Sequence, residues 1–320
     1  MKRILVTGAL GQIGSELVMK LRDIYGIDNI IASNRSSDKN GGDEVIDSGP
    51  FEVVDVLNPN QIADVTSKHK IDTIIHLAAI LSAVGEENPT LLWDVNMNGL
   101  YNILEVAREN KYAVFTPSSI AAFGPSTPKD FTPQDTIQRP TTMYGISKVA
   151  GELLCDYYFE RFGVDTRGVR FPGLISYKAL PGGGTTDYAV HIYYDALKSK
   201  KFICNIDKGT KMDMMYMPDA LDAIVNLMEA DPSHLKHRNA FNVTAMSFGP
   251  DEIYEEIKKH IPEFEIEYNI DPIKQKIAES WPNSLDDNDA RREWGWEPKY
   301  NLSSMTIDML EKLKEKLNTK

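Results

Sequence analysis

The stretch "VTGALGQIG", Val6 to Gly14, decides the fold. Its glycines, Gly8, Gly11 and Gly14, recur at every third position. Before them lies "RILVTG" (Arg3–Gly8), a short apolar run of the kind found in strands buried on both faces. After them "GSELVMKLRDIYG" (Gly14–Gly26) sets Leu17, Val18, Leu21 and Tyr25 on one helical stripe. A glycine loop between a strand and a helix lets backbone N–H groups approach a pyrophosphate at the helix N-terminus, where the dipole favours negative charge. An ordinary glycine-rich turn has the same composition. The strand–loop–helix setting is what favours nucleotide binding. Gly8, Gly11, Gln12, Ile13 and Gly14 are the residues expected to hold it.

The same rhythm continues outward. "NIIAS" (Asn29–Ser33), "FEVVDV" (Phe51–Val56), "IDTIIHLAA" (Ile71–Ala79), "YAVFTPSS" (Tyr112–Ser119) and "DTRGVRFPG" (Asp165–Gly173) read as strands. Helices are predicted between them at Pro59–His69, Thr90–Asn110 and Thr141–Phe162. Short apolar strands alternating with helices argue for an α/β fold, a Rossmann-type doubly wound parallel sheet. After Phe171 the rhythm changes. "YKALPGGGTTDYA" (Tyr177–Ala189) reads as a loop ending in a helix start, and a helix over Asp219–Glu229 is expected to return to the main sheet. "NAFNV", "GPDEIYEEIKKHI", "FEIEY" and a C-terminal helix suggest a smaller, discontinuous mixed α/β lobe. The predicted division is a dinucleotide-binding domain of residues 1–173 plus about 214–239, and a substrate-binding lobe of about 174–213 and 240–320.

Bulk properties narrow the function. The 320 residues, 42% of them hydrophobic, suffice for a large core. A net charge of -12 repels phosphate backbones and anionic bilayers, so neither nucleic acid nor membrane is an expected partner. No run of about 18 apolar residues predicts a membrane span, and "MKRILVTG" is too short for a signal peptide. Cys155 and Cys204 make no disulfide framework, which suits a reducing cytoplasm. None of the six histidines falls in an H-E-x-x-H or comparable pattern, so no metal is expected.

Binders of NAD usually hold the adenosine ribose with an acidic residue about 20 positions past the loop, at the end of the second strand. Here Asn34 stands at that point, followed by Arg35. Asn34 can bond a ribose but repels no phosphate, and Arg35 either accepts a 2′-phosphate or is merely solvated. NAD is favoured and NADP stays open. Asp55, with Val56 after it, is an adenine contact or a strand-end turn residue.

"TTMYGISKVAGELL" (Thr141–Leu154) puts Tyr144 and Lys148 four apart, on one helix face. The spacing recurs at Tyr194–Lys198 and Tyr254–Lys258, so position must choose. Tyr144 follows a sheet strand, and Ser119 lies 25 residues earlier at that strand's carboxyl end. Ligands of open parallel sheets sit at that edge. The other two pairs fall in the second lobe and read as packing residues.

"TGALGQIG", "IIHLAA", "NMNGLYNILEVAREN", "PSSIAAFG", "YGISK" and "SLDDNDARREWGWEPKY" resemble the extended short-chain dehydrogenase/reductases, nicotinamide-dependent enzymes, across nearly the whole chain. The resemblance implies that Ser119, Tyr144 and Lys148 are catalytic and that Leu77, Ala78 and Ala79 lie under the nicotinamide ribose. Phe171, in the last of the early strands, joins the expected cofactor contacts. A free phenol titrates near 10, so holding one ionised at pH 7 costs about 4 kcal/mol. An ammonium and an oxidised nicotinamide both offset that cost. Tyr144 would then accept a substrate hydroxyl proton as hydride leaves the same carbon. Ser119 would hold the hydroxyl, and Lys148 would bind the ribose and link the proton to solvent.

Most members of that family act on nucleotide sugars. This chain has "RFPGLISY" where they carry an Asn-containing turn, and "KMDMMYMPDALDAI" where many carry a diphosphate-binding arginine. Its "PGGGTTDYA", "SWPNS", "ILSAVGE" and "MMYMPDALDAI" instead resemble the short-chain type of L-threonine 3-dehydrogenases. That implies oxidation of the L-threonine β-hydroxyl to 2-amino-3-ketobutyrate with NAD. The product can lose carbon dioxide or pass to a 2-amino-3-ketobutyrate CoA ligase, a candidate functional partner. Gly184, Thr185 and Thr186 precede a helix, where N–H groups and hydroxyls can take a carboxylate or simply cap the helix. Ser82 could meet the amino acid's polar groups. Trp281 either closes over a small substrate or is a core indole. Asp187 reads as helix-start charge, and Met212, Met214, Met215 and Met217 as core filling. A nucleotide-sugar enzyme and a non-catalytic dinucleotide sensor remain as alternatives, the latter weakened by the presence of both Tyr144 and Lys148. Family members commonly pair through helices like Thr90–Asn110 and Thr141–Phe162, so a homodimer is expected.

Overall fold

The computed structural model of the protein describes residues 1–37, 43–178, 182 and 184–318. Strands β1 (Ile4–Thr7), β2 (Ile30–Asn34), β3 (Phe51–Val53), β4 (Thr73–His76), β5 (Ala113–Phe115) and β7 (Thr166–Arg167) form a parallel sheet ordered β3-β2-β1-β4-β5-β7. β1 pairs with β2 on one side and β4 on the other, so the connection reverses direction beside the carboxyl end of β1. That crevice is where open α/β sheets bind ligands. The two faces of β1 pack into different cores, as a period of two requires. Ile4 and Val6 meet Leu17 and Leu21 of helix Gln12–Tyr25 and Ile224 of helix Met217–Glu229. Leu5 meets Ile103 and Leu104 of helix Gly99–Asn110 and Tyr158 of helix Met143–Phe162.

Two expected strands are broken where the sequence places proline. Tyr112–Ser119 splits into β5 and β6 (Ser118–Ser119) around Pro117. Asp165–Gly173 splits into β7, β8 (Val169–Phe171) and β9 (Gly173–Ile175), with Pro172 between the last two. Proline gives a ladder no N–H. At the first offset Gly168 lies so close to its neighbour that an added Cβ would stand 2.3 Å from the Thr116 carbonyl oxygen. β6, β8 and β12 (Phe241–Asn242) then continue the sheet edge in parallel. The offset carries Ser118 and Ser119 beyond the main sheet, toward the crevice.

The remaining strands help build a third core. β9 runs parallel to β11 (Met212–Tyr216), which is antiparallel to β13 (Met246–Phe248). β10 (Lys201–Cys204) and β14 (Glu265–Tyr268) make a separate parallel pair. Tyr193 of helix Tyr188–Lys198, Phe248, Phe264 and Leu313 of helix Leu302–Asn318 meet there. Met212, Met214, Met215 and Met217 are all fully buried, the core role expected of them. The expected helix Thr90–Asn110 is continuous from Pro89, but over Asp94–Asn98 it widens, with the Gly99 N–H bonding the Asp94 carbonyl. Such widened turns present one side chain out of the helical register. Here it is Asn96, whose amide accepts from the Ile80 N–H (2.8 Å) and donates to the Ile80 carbonyl (3.1 Å). Helices Ser82–Glu87, Pro272–Ser280 and Asn288–Trp294 were not foreseen. No helix among the described residues is long and apolar enough to cross a membrane.

Candidate functional site

The glycine loop is dictated by two close approaches. Gly8 adopts a left-handed φ of 68°, and a Cβ there would stand 2.6 Å from the Ala78 nitrogen. A Cβ on Gly14 would stand 2.3 Å from the Gly8 carbonyl oxygen, so only glycine lets the helix seat this closely on the loop. Gly11 gives helix Gln12–Tyr25 no side-chain cap, and its first turn holds no acid. The N–H groups at that end are thus left for a ligand, at the positive end of the dipole. Gln12 Nε2 is buried and has no hydrogen-bond partner. A polar, anionic group such as a pyrophosphate fits this cradle and would satisfy the orphaned donor.

One cleft runs from this loop to the second lobe. Its near wall comprises Gly8, Gly11, Gln12, Ile13 and Gly14, with Leu77, Ala79 and Phe171 beyond them. Ser119, Tyr144 and Lys148 form the middle. Ser82, Gly184, Thr185, Thr186 and Trp281 close the far end. Ala78 lies on a small adjoining cavity shared with His76, Asn96, Ser118 and Lys148.

Asn34, Arg35, Asp55 and Val56 do not line the cleft. They lie at or just past the carboxyl ends of β2 and β3, the same sheet edge as Gly8. The Asn34 amide donates to the Ser36 carbonyl at 3.4 Å, and Arg35 is exposed. Asp55 Oδ1 accepts from the Leu57 N–H at 3.0 Å, so the residue has the turn role that sequence allowed it. Val56 is buried, and its carbonyl accepts from the Asn102 amide at 3.0 Å.

Tyr144 begins helix Met143–Phe162, whose N-cap is Thr142, with Oγ1 accepting from the Gly145 N–H at 3.0 Å. One turn on, Lys148 Nζ stands 5.3 Å from the Tyr144 ring centroid and donates to the Pro117 carbonyl at 2.8 Å. Ser119 Oγ accepts from the Ala121 N–H at 3.2 Å. His76 is buried beside this group, its Nδ1 2.8 Å from Thr7 Oγ1. Burial, aided by the charge of Lys148, pushes its imidazole down to about 3. It is therefore neutral near pH 7 and adds no second cation.

The rival pairs show why spacing cannot choose. Tyr254 OH accepts directly from Lys258 Nζ at 2.7 Å, and Lys198 Nζ stands 5.4 Å from the Tyr194 ring. Both pairs have the contact expected of the chemistry, yet neither lines the cleft. Position alone separates them from Tyr144.

At the far end Thr185 is buried and Thr186 half-buried. A Cβ on Gly173 would come within 2.7 Å of Thr186 Cγ2 and 2.4 Å of Met214 Sδ, so Gly173 is what admits Thr186 to the cleft. The Gly184 N–H donates to Asp187 Oδ2 at 2.7 Å, which is the helix-start role read for Asp187. Trp281 is 8% exposed, part of the lobe core and also of the cleft wall. Residues 179–181 and 183 of the glycine-rich stretch lie outside the described residues. Sequence reading missed Gly173 and Asn96 as site-shaping residues. The first was noted only as a departure from an Asn-containing turn, and a helical pattern gives no sign of a widened turn.

A model of the NAD dependent epimerase/dehydratase family matches residues 4–244. An uncharacterised epimerase/dehydratase of Staphylococcus haemolyticus is 56% identical over 320 residues, covering all of both chains. The X-ray structure of L-threonine dehydrogenase from Clostridium difficile is 62% identical with a TM-score of 0.97, covering 99% of this chain and 98% of that one. A monomeric L-threonine 3-dehydrogenase from a metagenome is 47% identical with a TM-score of 0.92, covering 98% of this chain and 99% of that one. Matches of this extent leave one assignment: the chain belongs to the NAD dependent epimerase/dehydratase family, the extended short-chain dehydrogenase/reductases.

Proposed function

We propose that the protein is an NAD-dependent L-threonine 3-dehydrogenase, oxidising the β-hydroxyl of L-threonine to L-2-amino-3-ketobutyrate. The observation that carries this reading is the sharing of one cleft by the glycine loop, the Ser119–Tyr144–Lys148 group and the Thr185–Thr186–Trp281 end. None of the described residues lining that cleft is an arginine, which disfavours a nucleotide sugar diphosphate. The 62% identical structure is itself an L-threonine dehydrogenase.

Bound against the Gly8–Gly14 loop, the nicotinamide dinucleotide supplies the hydride acceptor. Tyr144 takes the proton of the substrate hydroxyl. Lys148, fixed by the Pro117 carbonyl, provides positive charge where negative charge grows on the phenol. Ser119 orients the hydroxyl. Ser82, Thr185 and Thr186 take the polar groups of the amino acid, and Trp281 excludes water from the small end of the cleft. Asn34, Arg35, Asp55 and Val56 serve the adenosine half, with NAD preferred over NADP. The reaction belongs in the cytoplasm, where Cys155 and Cys204, both unpaired, stay reduced. The acting form is a homodimer, and the ketobutyrate passes to a CoA ligase or decarboxylates.

The test is NADH absorbance on adding L-threonine, with UDP-glucose and UDP-galactose as controls and NADP as a second cofactor arm. Turnover of the sugars alone would replace this reading with the nucleotide-sugar one. Cofactor binding with no turnover of any substrate would favour a dinucleotide sensor.

A further inference from the structure

Asp213 is a lone acid in the run "MDMMYM" (Met212–Met217), and it is fully buried as the second residue of β11. Successive side chains of a strand face opposite ways. Met214 therefore turns toward Gly173 and the cleft, and Asp213 turns to the other face. There its register partner across β13 is Ser247. Asp213 Oδ2 accepts from the Leu285 N–H at 2.9 Å, and Ser247 Oγ donates to the Asn283 carbonyl at 2.6 Å. These are the backbone groups four and two residues past Trp281. The other edge of the same segment is bonded as well. The Asn283 and Ser284 N–H groups donate to the Lys129 carbonyl at 2.8 and 3.2 Å, and Leu285 bridges to Thr132.

We infer that Asp213, seconded by Ser247, is a positioning residue: it holds the Asn283–Leu285 backbone so that Trp281 forms the far wall of the substrate cleft. The inference rests on the reading of that end as the amino-acid pocket. Among the described residues no cation pairs with Asp213. A buried carboxyl without a counter-ion is a costly filling for an apolar strand. The hydrogen bonds it makes, and its direct hold on the Leu285 N–H beside the Ser247–Asn283 bond, offset that cost. Thr244 Oγ1 lies 2.6 Å from Oδ1. Burial, with Asp287 as the further charge acting in the same direction, pushes the carboxyl up to about 8. A neutral carboxyl can donate to Thr244 with one oxygen and accept from Leu285 with the other, so the grip does not need the charge. Asparagine can make the same two bonds.

The experiment compares Asp213→Leu, Asp213→Asn and Ser247→Ala. Asp213→Leu is expected to raise KM for L-threonine about tenfold or more while the NAD dissociation constant stays within twofold. Asp213→Asn should restore KM to near the parent value, and Ser247→Ala should raise it by a smaller factor. If Asp213→Leu does not fold, Ser247→Ala carries the test alone. Chains labelled with fluorotryptophan give a readout free of the substrate assignment. The four tryptophans yield four fluorine resonances, and the Trp281 signal, identified by its loss in Trp281→Phe, should shift or broaden in Asp213→Leu while the other three hold. An unmoved Trp281 resonance, or an Asp213→Asn variant as impaired as Asp213→Leu, would overturn the inference. A moved resonance in a protein that does not turn over L-threonine would leave the positioning role standing and sink only the substrate.

Discussion

Lys148 Nζ stands 5.3 Å from the ring centroid of Tyr144 and hands a hydrogen to the Pro117 carbonyl at 2.8 Å. The ammonium is thus tied to the peptide that leads into Ser119, and helix and sheet edge meet there, with Ser118 Oγ also bonding Glu152 of the same helix. Tyr144→Phe keeps the ring and its packing but removes the proton acceptor. Turnover is expected to fall by about 10²–10⁴-fold with NAD affinity retained, read by NADH formation and by calorimetry. Lys148→Met should reduce both, because it also frees the Pro117 carbonyl. Surviving turnover in Tyr144→Phe would show that another group takes the proton.

A methyl group at Gly14 meets only backbone, the Gly8 oxygen at 2.3 Å and Ala9 Cα at 2.8 Å. Nothing there can rotate aside. Gly14→Ala is expected to push the helix off the loop, lowering NAD affinity at least about tenfold and the melting temperature with it. Gly163, a helix C-cap with φ 70°, has nothing within 4 Å of its Cβ position. Gly163→Ala should cost about 1 kcal/mol of stability and leave NAD affinity alone. Equal losses of affinity in the two variants would mean that the Gly14 effect is general destabilisation.

Much of this site is written in local pattern. The loop shows itself because three glycines punctuate a strand–helix junction, and steric contact demands each of the outer two. Tyr144 could be chosen because sheet order brings β6 and its helix to one edge, whereas the spacing alone also fits Tyr254–Lys258, which makes the closer contact. What pattern did not reveal is long-range closeness. Gly173 matters because Thr186 packs on it, Asn96 because a helix widens for five residues, and Asp213 because Leu285 folds back across 72 positions. Proline broke two strands that the apolar runs drew as continuous, and those breaks place Ser119 and Gly173 at the cleft.

Lys316 on the C-terminal helix gives its three hydrogens to the Tyr177 carbonyl (2.9 Å), the Lys178 carbonyl (2.7 Å) and Tyr194 OH (3.2 Å). It thereby pins the start of the glycine-rich stretch that ends at Gly184–Thr186. Lys316→Met keeps the apolar stem and removes the three bonds. Stability is expected to fall by about 1–3 kcal/mol in urea unfolding, with KM for L-threonine raised several-fold. Loss of stability with an unchanged KM would confine Lys316 to holding the helix.

The homodimer reading has a face to work with. Tyr101, Leu153 and Tyr157 are 49%, 62% and 53% exposed on the two helices expected to pair. The related enzyme described as monomeric shows that this fold does not require a partner. Leu153→Glu puts a charge in the middle of the face and is expected to halve the mass seen by light scattering. A parent protein that already runs at 36.0 kDa would end the dimer reading.

Stability should carry the mark of Asp213 as pH changes. Folded, its carboxyl holds a proton up to about pH 8, against an ordinary value of 3.8, because it is buried and Asp287 lies near. Between those values the folded chain binds more protons than the unfolded chain, so this group's contribution declines as pH rises. It is fully present below about pH 4 and lost as pH passes about 8. Thr244 and the Leu285 and Met214 N–H groups face the carboxyl and favour its charged form, which moderates the effect without reversing it. Asp213→Asn cannot titrate. The stability difference between parent and Asp213→Asn, read from urea unfolding at several pH values between about 5 and 8, should therefore shift steadily in favour of the variant as pH rises. A difference that stays flat across that range would show Asp213 to be ionised in the folded protein throughout.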